Sequence, residues 1–233
     1  MLFGKPLYKL REVLLIVFLL MLAFLLLSGN VPFHPRQTLI WKLNDTTMIG
    51  GLKPTVLGSP RIVHDKSGTA LFFDGVDDGL ILPINPIKGW KNFTVELLFQ
   101  PAADGPAEPR LVHSEDTEGN RFTMEIRVTS KGQWYLDTFL KNNKTGQRLT
   151  LIDSTSLYAC GKWYWAALVY NGKSMSQYVN AKKVLDGPIA FGTTGTGQIA
   201  LAVRLNQVNW YRGMIREIRF HPLALKSADL QRE

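Results

Sequence analysis

The chain has 233 residues, of which 45% are apolar and 20% charged, so it is long and apolar enough to bury the core of one large domain. Its single cysteine, Cys160, excludes an intramolecular disulfide, and its position excludes a lipid-modified cysteine near the N-terminus. Aromatic neighbours on both sides, Tyr158 and Trp163, favour a packed structural thiol at Cys160 over a reactive one.

The N-terminal segment has the composition of a membrane anchor. Residues 13–27 form an unbroken apolar run that includes Val13, Leu20 and Leu27, and basic side chains precede it. Such a basic flank favours a cytoplasmic N-terminus and an exported remainder. The run fits a signal-peptide core or a short span, but residues 25–30 lack the small-residue pattern of a cleavage site. We predict a cytoplasmic segment at 1–12 and a transmembrane signal anchor at 13–30, with a cleaved signal peptide as the alternative.

The part of the chain after the anchor is basic. Residues 1–30 contain three basic side chains and one acidic one, so the exported part carries +6 of the formal +8. An exported domain is not expected to meet nucleic acid, and we predict no such partner. A weakly basic surface suits anionic lipid headgroups, acidic glycans or an acidic protein face, and a solvated surface without a partner is an equal alternative.

The segment after the anchor predicts a short linker and then the first strands of a sheet. Two prolines, Pro32 and Pro35, make the linker at 31–37 stiff, and the folded domain is expected to occupy residues 38–233. Residues 38–43 predict the first strand, and residues 61–64 predict another.

Residues 70–83 predict a hairpin with an acidic turn. The apolar runs 70–73 and 80–82 flank a stretch in which Asp and Gly alternate. Gly tolerates positive φ, and Asp side chains accept hydrogen bonds from nearby backbone amides, as a tight turn requires. We expect the later strands to add to this hairpin.

The strand pattern continues to the C-terminus. Every odd position from Phe93 to Phe99 is apolar, which is the period of a half-buried strand. Asn171 and Gly172 predict a tight turn between two strands, and Ser227 is expected to cap a terminal helical turn. The other predicted strands are 110–114, 122–128, 133–140, 149–152, 163–170, 174–180, 199–203 and 214–220. Many short strands without helices between them predict an all-β fold, a two-sheet antiparallel sandwich.

Five motifs occur in order along these strands: FDGVDD at 73–78, FTVE at 93–96, GKW leading to ALVYNG at 161–172, QYVN at 177–180 and GMIREIRF at 213–220. Together they resemble the laminin-G-like, concanavalin A-like jelly roll over roughly residues 38–231. The resemblance implies a jelly-roll sandwich. Asn180-Ala181 stands where the family pattern has an Asp-Gly turn, and Arg216 stands where an Asp is common, so the acids of calcium-binding relatives are missing there.

Asp74, Asp77 and Asp78 are the candidate metal ligands. Their carboxylates offer the oxygen ligands that calcium prefers. The same residue types shape a turn through local hydrogen bonds, and the sequence shows no second acidic cluster to share an ion. We predict no cofactor, with calcium at these three residues as the alternative.

Paired carboxylates would indicate an enzyme, because glycosidases on this broad fold use two nearby acids. Relatives of that kind place both acids on one strand, whereas the predicted strands here carry their acids singly, at Glu96, Glu125, Asp137 and Glu217. Three histidines lack the spacing of a zinc site or a catalytic triad, namely His64, His113 and His221. We predict that the protein is not an enzyme.

Aromatic residues are numerous, and most of those within strands are expected in the core, Trp163 or Trp165 among them. Trp210 and Tyr211 lie in a connection beside Asn206 and Asn209. Exposed aromatic side chains stack on sugar faces or anchor protein interfaces. We therefore predict these four residues as contacts for a ligand or partner.

Two function classes follow from these features. In the first, the sandwich docks onto integral membrane proteins as an accessory subunit of a larger complex, because the stiff linker holds it against the bilayer. In the second, it is a lectin-like module for glycans or surface polymers, as the fold resemblance suggests. We predict the first, with the second as the alternative. In both, the sandwich lies on the periplasmic or extracellular side.

Overall fold

The structure of the chain, a computed structural model, describes residues 37–66 and 68–232. The predicted cytoplasmic segment at 1–12 and the predicted anchor at 13–30, with Val13, Leu20 and Leu27, lie outside the described residues. Within the described part, no helix is long and apolar enough to cross a membrane.

The described residues form sixteen strands and one short 3-10 helix, Ser227–Asp229. The strands are β1 (Leu39–Lys42), β2 (Thr55–Leu57), β3 (Arg61–Asp65), β4 (Gly68–Asp74), β5 (Gly79–Leu82), β6 (Phe93–Pro101), β7 (Arg110–Asp116), β8 (Arg121–Val128), β9 (Gln133–Lys141), β10 (Arg148–Ile152), β11 (Tyr158–Ala159), β12 (Tyr164–Tyr170), β13 (Ser174–Val179), β14 (Lys182–Pro188), β15 (Gly197–Leu201) and β16 (Arg212–His221).

The strands pair into two eight-stranded sheets. Sheet A has the order β14-β13-β12-β6-β16-β4-β3, with β1 added to β16. Sheet B has the order β10-β9-β8-β7-β15-β5-β2, with β11 added to β9. The pairs within both sheets are antiparallel. The prediction of an all-β, two-sheet antiparallel sandwich is confirmed.

Aromatic side chains join the two sheets in the core. Phe93 and Phe99 of β6 in sheet A are fully buried, as the alternation predicts. Phe93 contacts Phe122 of sheet B with 6.1 Å between ring centroids, and Phe99 contacts Trp134 of sheet B edge-on at 5.0 Å. Such pairs add about 0.5–1.5 kcal/mol beyond the burial of apolar area, so they stabilise the packing of one sheet on the other.

The outer face of sheet A is covered, which corrects the prediction that β6 is half buried. Thr94 and Glu96 point away from the core, yet they are 0% and 1% exposed. The hydroxyl of Thr94 donates to the Leu223 carbonyl at 2.8 Å and accepts the Leu225 N–H at 2.9 Å. Glu96 accepts the Gln231 N–H at 2.7 Å. The C-terminal segment therefore lies across the middle of this sheet.

Apolar contacts fix the same segment. Leu230 packs with Ala167 and Val169 of β12 in a small cluster separate from the main core. Ser227 begins the 3-10 helix, but its hydroxyl donates to the Ala181 carbonyl at 2.5 Å and does not cap the helix. The capping prediction for Ser227 is therefore wrong, because a tertiary contact takes up the hydroxyl.

Candidate functional site

The outer face of sheet B carries a cluster of charged side chains. In β8, Phe122, Met124 and Ile126 belong to the core, so the alternation of a strand directs Glu125 and Arg127 outwards. Glu125 is the register partner of a β7 residue and a β9 residue, and arginines of β7, β8 and the β15–β16 loop surround it. We name this surface the arginine face, with Arg110, Arg121, Arg127, Arg204, His113, Glu125 and Asp137 as its members.

Two cavities open on the arginine face. One has a volume of about 220 Å³ and is lined by all seven members. The other, of about 530 Å³, extends towards Gln198 and Asn206. His113, Arg121 and Arg204 line both cavities. A ligand in either cavity would therefore lie next to these three residues.

Two ion pairs hold the acids of the face. An Arg110 amino group lies 2.7 Å from the Glu125 carboxylate. Nε and Nη2 of Arg127 donate to one Asp137 oxygen at 2.9 and 2.6 Å. Burial raises the pKa of both carboxyl groups, and the neighbouring arginines oppose that rise. Because Asp137 is 1% exposed, its charge depends on Arg127.

Glu125 and Asp137 are direct register partners on adjacent strands. Directly opposed residues have Cβ atoms about 4.5–5.5 Å apart, so the structure brings two acids together that the sequence analysis treated singly. Acids on one strand can be recognised from the sequence, whereas this pair forms between two strands. Burial raises the pKa of both carboxyl groups, whereas the arginine that contacts each of them favours its ionised form.

His113 is a buried donor without a partner. It is 2% exposed, and its Nδ1 accepts the Leu205 N–H at 3.4 Å, which assigns the ring proton to Nε2. Among the described residues, Nε2 has no hydrogen-bond partner. Burial, together with the charges of Arg204, Arg121 and Arg110, lowers the His113 pKa to about 3, so the ring is neutral at neutral pH. An unpaired buried donor costs about 1–3 kcal/mol, so this N–H would gain from an acceptor, either an ordered water or a ligand.

Arg121 and Arg204 also keep donors free. The Arg121 guanidinium lies 5.1 Å from the Phe139 ring centroid and 3.7 Å from the Glu115 carboxylate. Its Nε has no hydrogen-bond partner within the described residues. Arg204 makes no ion pair or side-chain hydrogen bond with the part of the chain that the structure describes. The face therefore has unused capacity for an acceptor or an anion.

The predicted contact residues divide into two groups. Asn206 is exposed and lines the larger cavity beside Arg204, while Asn209 and Trp210 are partly exposed. Tyr211 is 0% exposed, and its hydroxyl lies 3.3 Å from the Met214 carbonyl, to which it donates. Burial raises the Tyr211 pKa well above its ordinary value. We correct the prediction for Tyr211, which the structure places in the core.

The three candidate metal ligands lie together in the β4–β5 turn, with one carboxylate oxygen of each within 4.8 Å of the others. One Asp74 oxygen accepts the N–H groups of Val76, Asp77 and Asp78 at 2.8, 3.2 and 3.3 Å. Asp78 accepts the Ser59 N–H at 2.6 Å and the Asp74 N–H at 3.0 Å. Through these bonds Asp74 and Asp78 stabilise the turn. Calcium binding at this turn stays a prediction.

The charge pattern of β8 carried a signal that the sequence analysis did not use. Arg121, Thr123, Glu125 and Arg127 occupy every second position, so three of the four outward positions are charged. A strand with a charged outer face between apolar inner residues indicates a polar surface on its sheet. Arg204 had no comparable signal, because it belongs to a loop.

Comparisons with known proteins bear on the fold and on the family. A family model named Laminin_G_3, described as the concanavalin A-like lectin/glucanases superfamily, matches residues 73–231, a range that includes the whole arginine face. No curated protein matches the chain.

Solved structures with the same fold include three binding domains. The botulinum neurotoxin serotype D binding domain has 16% identity and a TM-score of 0.59, over 84% of this chain and 50% of that one. The serotype D ligand binding domain in complex with N-acetylneuraminic acid has 17% identity and a TM-score of 0.58, over 82% and 48%. The binding domain of Paraclostridial Mosquitocidal Protein 1 has 16% identity and a TM-score of 0.59, over 82% and 50%. This chain spans about half the length of these structures, and at such identities the likeness shows the fold.

Proposed function

This chain belongs to the Laminin_G_3 family of the concanavalin A-like lectin/glucanases superfamily, and we propose that its sandwich is a carbohydrate-binding module whose ligand binds at the arginine face. The observation that carries the proposal is that His113, Arg121 and Arg204 line both cavities, with His113 Nε2 and Arg121 Nε unpaired and Arg204 without an ion pair among the described residues. Sugars offer many oxygen acceptors to such donors. The related domain in complex with N-acetylneuraminic acid supports a saccharide ligand.

A glycan array tests this function. The full-length tagged protein, purified in mild detergent, is expected to bind a restricted set of glycans. An R121Q/R204Q variant that melts like wild type is expected to lose that binding, because it lacks two donors of the face. If the wild-type protein bound no glycan, the proposed function would be contradicted. If the variant still bound the same glycans, the binding site would have to lie at another surface.

The same proposal holds that the module is not an enzyme. Glu125 and Asp137 are each engaged by an arginine, which supports binding rather than proton transfer. Incubation with an array-positive glycan is expected to release no shorter product, as followed by mass spectrometry. Product release that disappears in Glu125→Gln would overturn this part of the proposal.

We further propose that residues 13–30 anchor the chain in a membrane, with the sandwich on the periplasmic or extracellular side. The apolar run around Leu20 and the basic residues before it support this topology. Full-length protein is expected to resist extraction by alkaline carbonate, and protease added to intact cells is expected to reach the sandwich. Extraction without detergent, or protection from the protease, would contradict the topology.

Docking as an accessory subunit of a membrane complex is the second candidate function. The anchor segment and the stiff linker at 31–37, which would hold the sandwich close to the bilayer, favour it. Native protein purified in mild detergent would then bring integral membrane proteins with it in fixed ratio, and deletion of residues 1–30 would weaken that association. A protein that elutes alone would exclude the subunit function.

A further inference from the structure

The free donors of the arginine face come from three different elements and meet at one place. His113 lies on β7, Arg121 begins β8, and Arg204 lies in the loop after β15. All three line both cavities. The fold brings these residues together from distant parts of the sequence. For example, the Leu205 N–H that donates to His113 lies 92 positions away from it.

The acids nearby leave one arginine, Arg204, without an ion pair among the described residues. Arg110 and Arg127 pair with Glu125 and Asp137. The Glu115 carboxylate lies 3.7 Å from Arg121 and 3.8 Å from His113 Nε2. Its side chain is 37% exposed, so solvent weakens its interaction with Arg121. No such pair involves Arg204 within the described residues. Arg204 lines both cavities and is therefore available to pair with a negatively charged group.

Another acid that lines the larger cavity, Asp116, has its oxygens occupied within the chain. One oxygen accepts the N–H groups of Glu118 and Asn120 at 3.0 and 2.9 Å. The other accepts from the Asn120 side chain at 2.9 Å and from the Gly195 N–H at 2.8 Å. Its carboxylate keeps its charge but is held in the loop by these bonds, and it makes no ion pair with Arg204 among the described residues.

The remaining lining suits a sugar. The larger cavity, at about 530 Å³, falls within the roughly 300–1,000 Å³ of small-molecule sites. Beyond the basic groups it presents the amides of Gln198 and Asn206 and the hydroxyl of Thr117. Amides and hydroxyls both donate and accept, as sugar hydroxyls require. A neutral histidine N–H beside two guanidinium groups provides donors for an oxyanion.

We propose that the saccharide bound at the arginine face is anionic, and that His113 Nε2–H, Arg121 and Arg204 bind its carboxylate or sulfate group. This inference rests on the proposed carbohydrate-binding function and adds the chemical class of the ligand. The neutral His113 donates one hydrogen bond, and the two arginines supply charge and further donors. The sugar hydroxyls are bound along Gln198 and Asn206.

Three probes with one common core test the proposal on the full-length protein in detergent. They are lactose, 3′-sialyllactose and lactose 3′-sulfate, with affinity measured by calorimetry. At least one anionic probe is expected to bind about tenfold or more tightly than lactose. The two anionic probes distinguish a carboxylate ligand from a sulfate ligand. Equal affinity for lactose and both anionic probes would overturn the proposal.

Matched variants identify the site. Arg204→Gln is expected to weaken the anionic probe about tenfold and so to reduce its preference over lactose. Arg148→Gln removes the same charge from an exposed position of β10 that neither cavity includes, and it is expected to bind like wild type. If both variants lost the same affinity for the anionic probe, the preference would come from the overall charge of the protein, and the proposal would be overturned.

The array result separates this proposal from the function on which it rests. If the array shows binding to neutral glycans alone, the carbohydrate function stands and the anionic class is wrong. If the array shows no glycan at all and no probe binds, the function itself fails, and the inference fails with it.

Discussion

His113 and Asp137 are both almost completely buried on the arginine face, and the fold stabilises them in opposite ways. Asp137 is balanced by the guanidinium of Arg127, which donates two hydrogen bonds to it. His113 is neutral, because burial and three nearby arginines disfavour its charged form. The two residues therefore respond differently to pH and to the loss of a neighbour.

His113 makes the fold sensitive to acid. Its folded pKa is about 3, against about 6.5 when unfolded, so between these values the unfolded chain binds the proton and the folded chain does not. Stability is therefore lost as pH falls from about 6.5 towards 3, by at most about 1.4 kcal/mol per pH unit. We expect His113→Gln to have a flatter dependence, measured by urea unfolding across this range. His64→Gln, at an exposed position, is the control and should follow wild type.

Removal of Arg127 leaves a buried carboxylate without its counter-ion. We expect Arg127→Gln to lower the free energy of unfolding by about 3–5 kcal/mol near neutral pH. Because burial already raises the Asp137 pKa, protonation of Asp137 should relieve part of this loss as the pH falls. Denaturant unfolding at several pH values measures both effects.

The Arg127→Gln/Asp137→Asn double variant separates the pair from its surroundings. It should recover part of the loss, since no unpaired charge then remains at Asp137. Lys183→Gln breaks an exposed ion pair with Asp186 and is the control, with a much smaller effect expected. A loss in Arg127→Gln no larger than in this control would contradict the prediction.

At the scale of elements, the strands with a clear apolar pattern were predicted and the short or polar ones were missed. Residues 93–100 and 133–140 correspond to β6 and β9 within one residue at each end. β2, β11 and β14 were not predicted. β14 is an edge strand in which three of seven residues are charged, two of them exposed lysines, and it pairs with β13 alone. A polar edge strand is specified by the neighbour with which it pairs, and its own sequence gives no signal.

The β4–β5 turn provides a test at this scale. Asp78 is 3% exposed and accepts the N–H groups of Ser59 and Asp74, so it fastens the β2–β3 loop to the turn. We expect Asp78→Ala to cost about 2–3 kcal/mol of unfolding free energy, because two backbone donors lose their acceptor. Asp77→Ala, at an exposed position of the same turn, should stay within about 0.5 kcal/mol.

The same two variants distinguish the structural function of the turn from calcium binding. If the acids serve the turn alone, the melting temperature of wild type should be the same in millimolar calcium as in a chelator. The same should hold for Asp77→Ala. A rise in melting temperature with calcium that Asp77→Ala abolishes would instead establish the calcium alternative.

At the scale of the whole molecule, the two outer faces of the sandwich differ. The C-terminal segment lies across β6 and β12 on the outside of sheet A, with contacts to Thr94, Glu96 and Val169. The outside of sheet B bears the arginine face and its two cavities. The two outer faces therefore differ in character, because residues 223–231 cover the middle of one and charged side chains line the other.

Leu230 is expected to hold this cover in place. It is 3% exposed against Ala167 and Val169, so Leu230→Ala should cost about 2 kcal/mol or more of unfolding free energy. Leu223→Ala in the same segment, where the side chain is 62% exposed, should stay within about 0.5 kcal/mol. Thermal and urea unfolding of both variants measures the difference. Equal effects would mean that the segment is held by its hydrogen bonds alone.

The sequence by itself determined the architecture, because alternation and turn chemistry act over a few neighbouring residues. The odd positions from Phe93 to Phe99 specified a core-facing strand, and all four are buried. Asn171 specified a tight turn, and its side chain accepts the N–H groups of Lys173 and Ser174 at 3.0 and 2.9 Å. Gly172 supplies the positive φ of that turn, at 88°.

The tertiary structure alone decided the candidate site. Arg110, Arg121 and Arg204 belong to three elements that become neighbours only when β7 pairs with β8 on one side and β15 on the other. The pairing of Glu125 with Asp137 and the burial of His113 arise in the same way, from register between strands. Local patterns carry no information on which distant strands pair, since that choice depends on the packing of the whole core. For this reason the sequence predicted a sandwich, and only the folded sheets brought the side chains of the arginine face together.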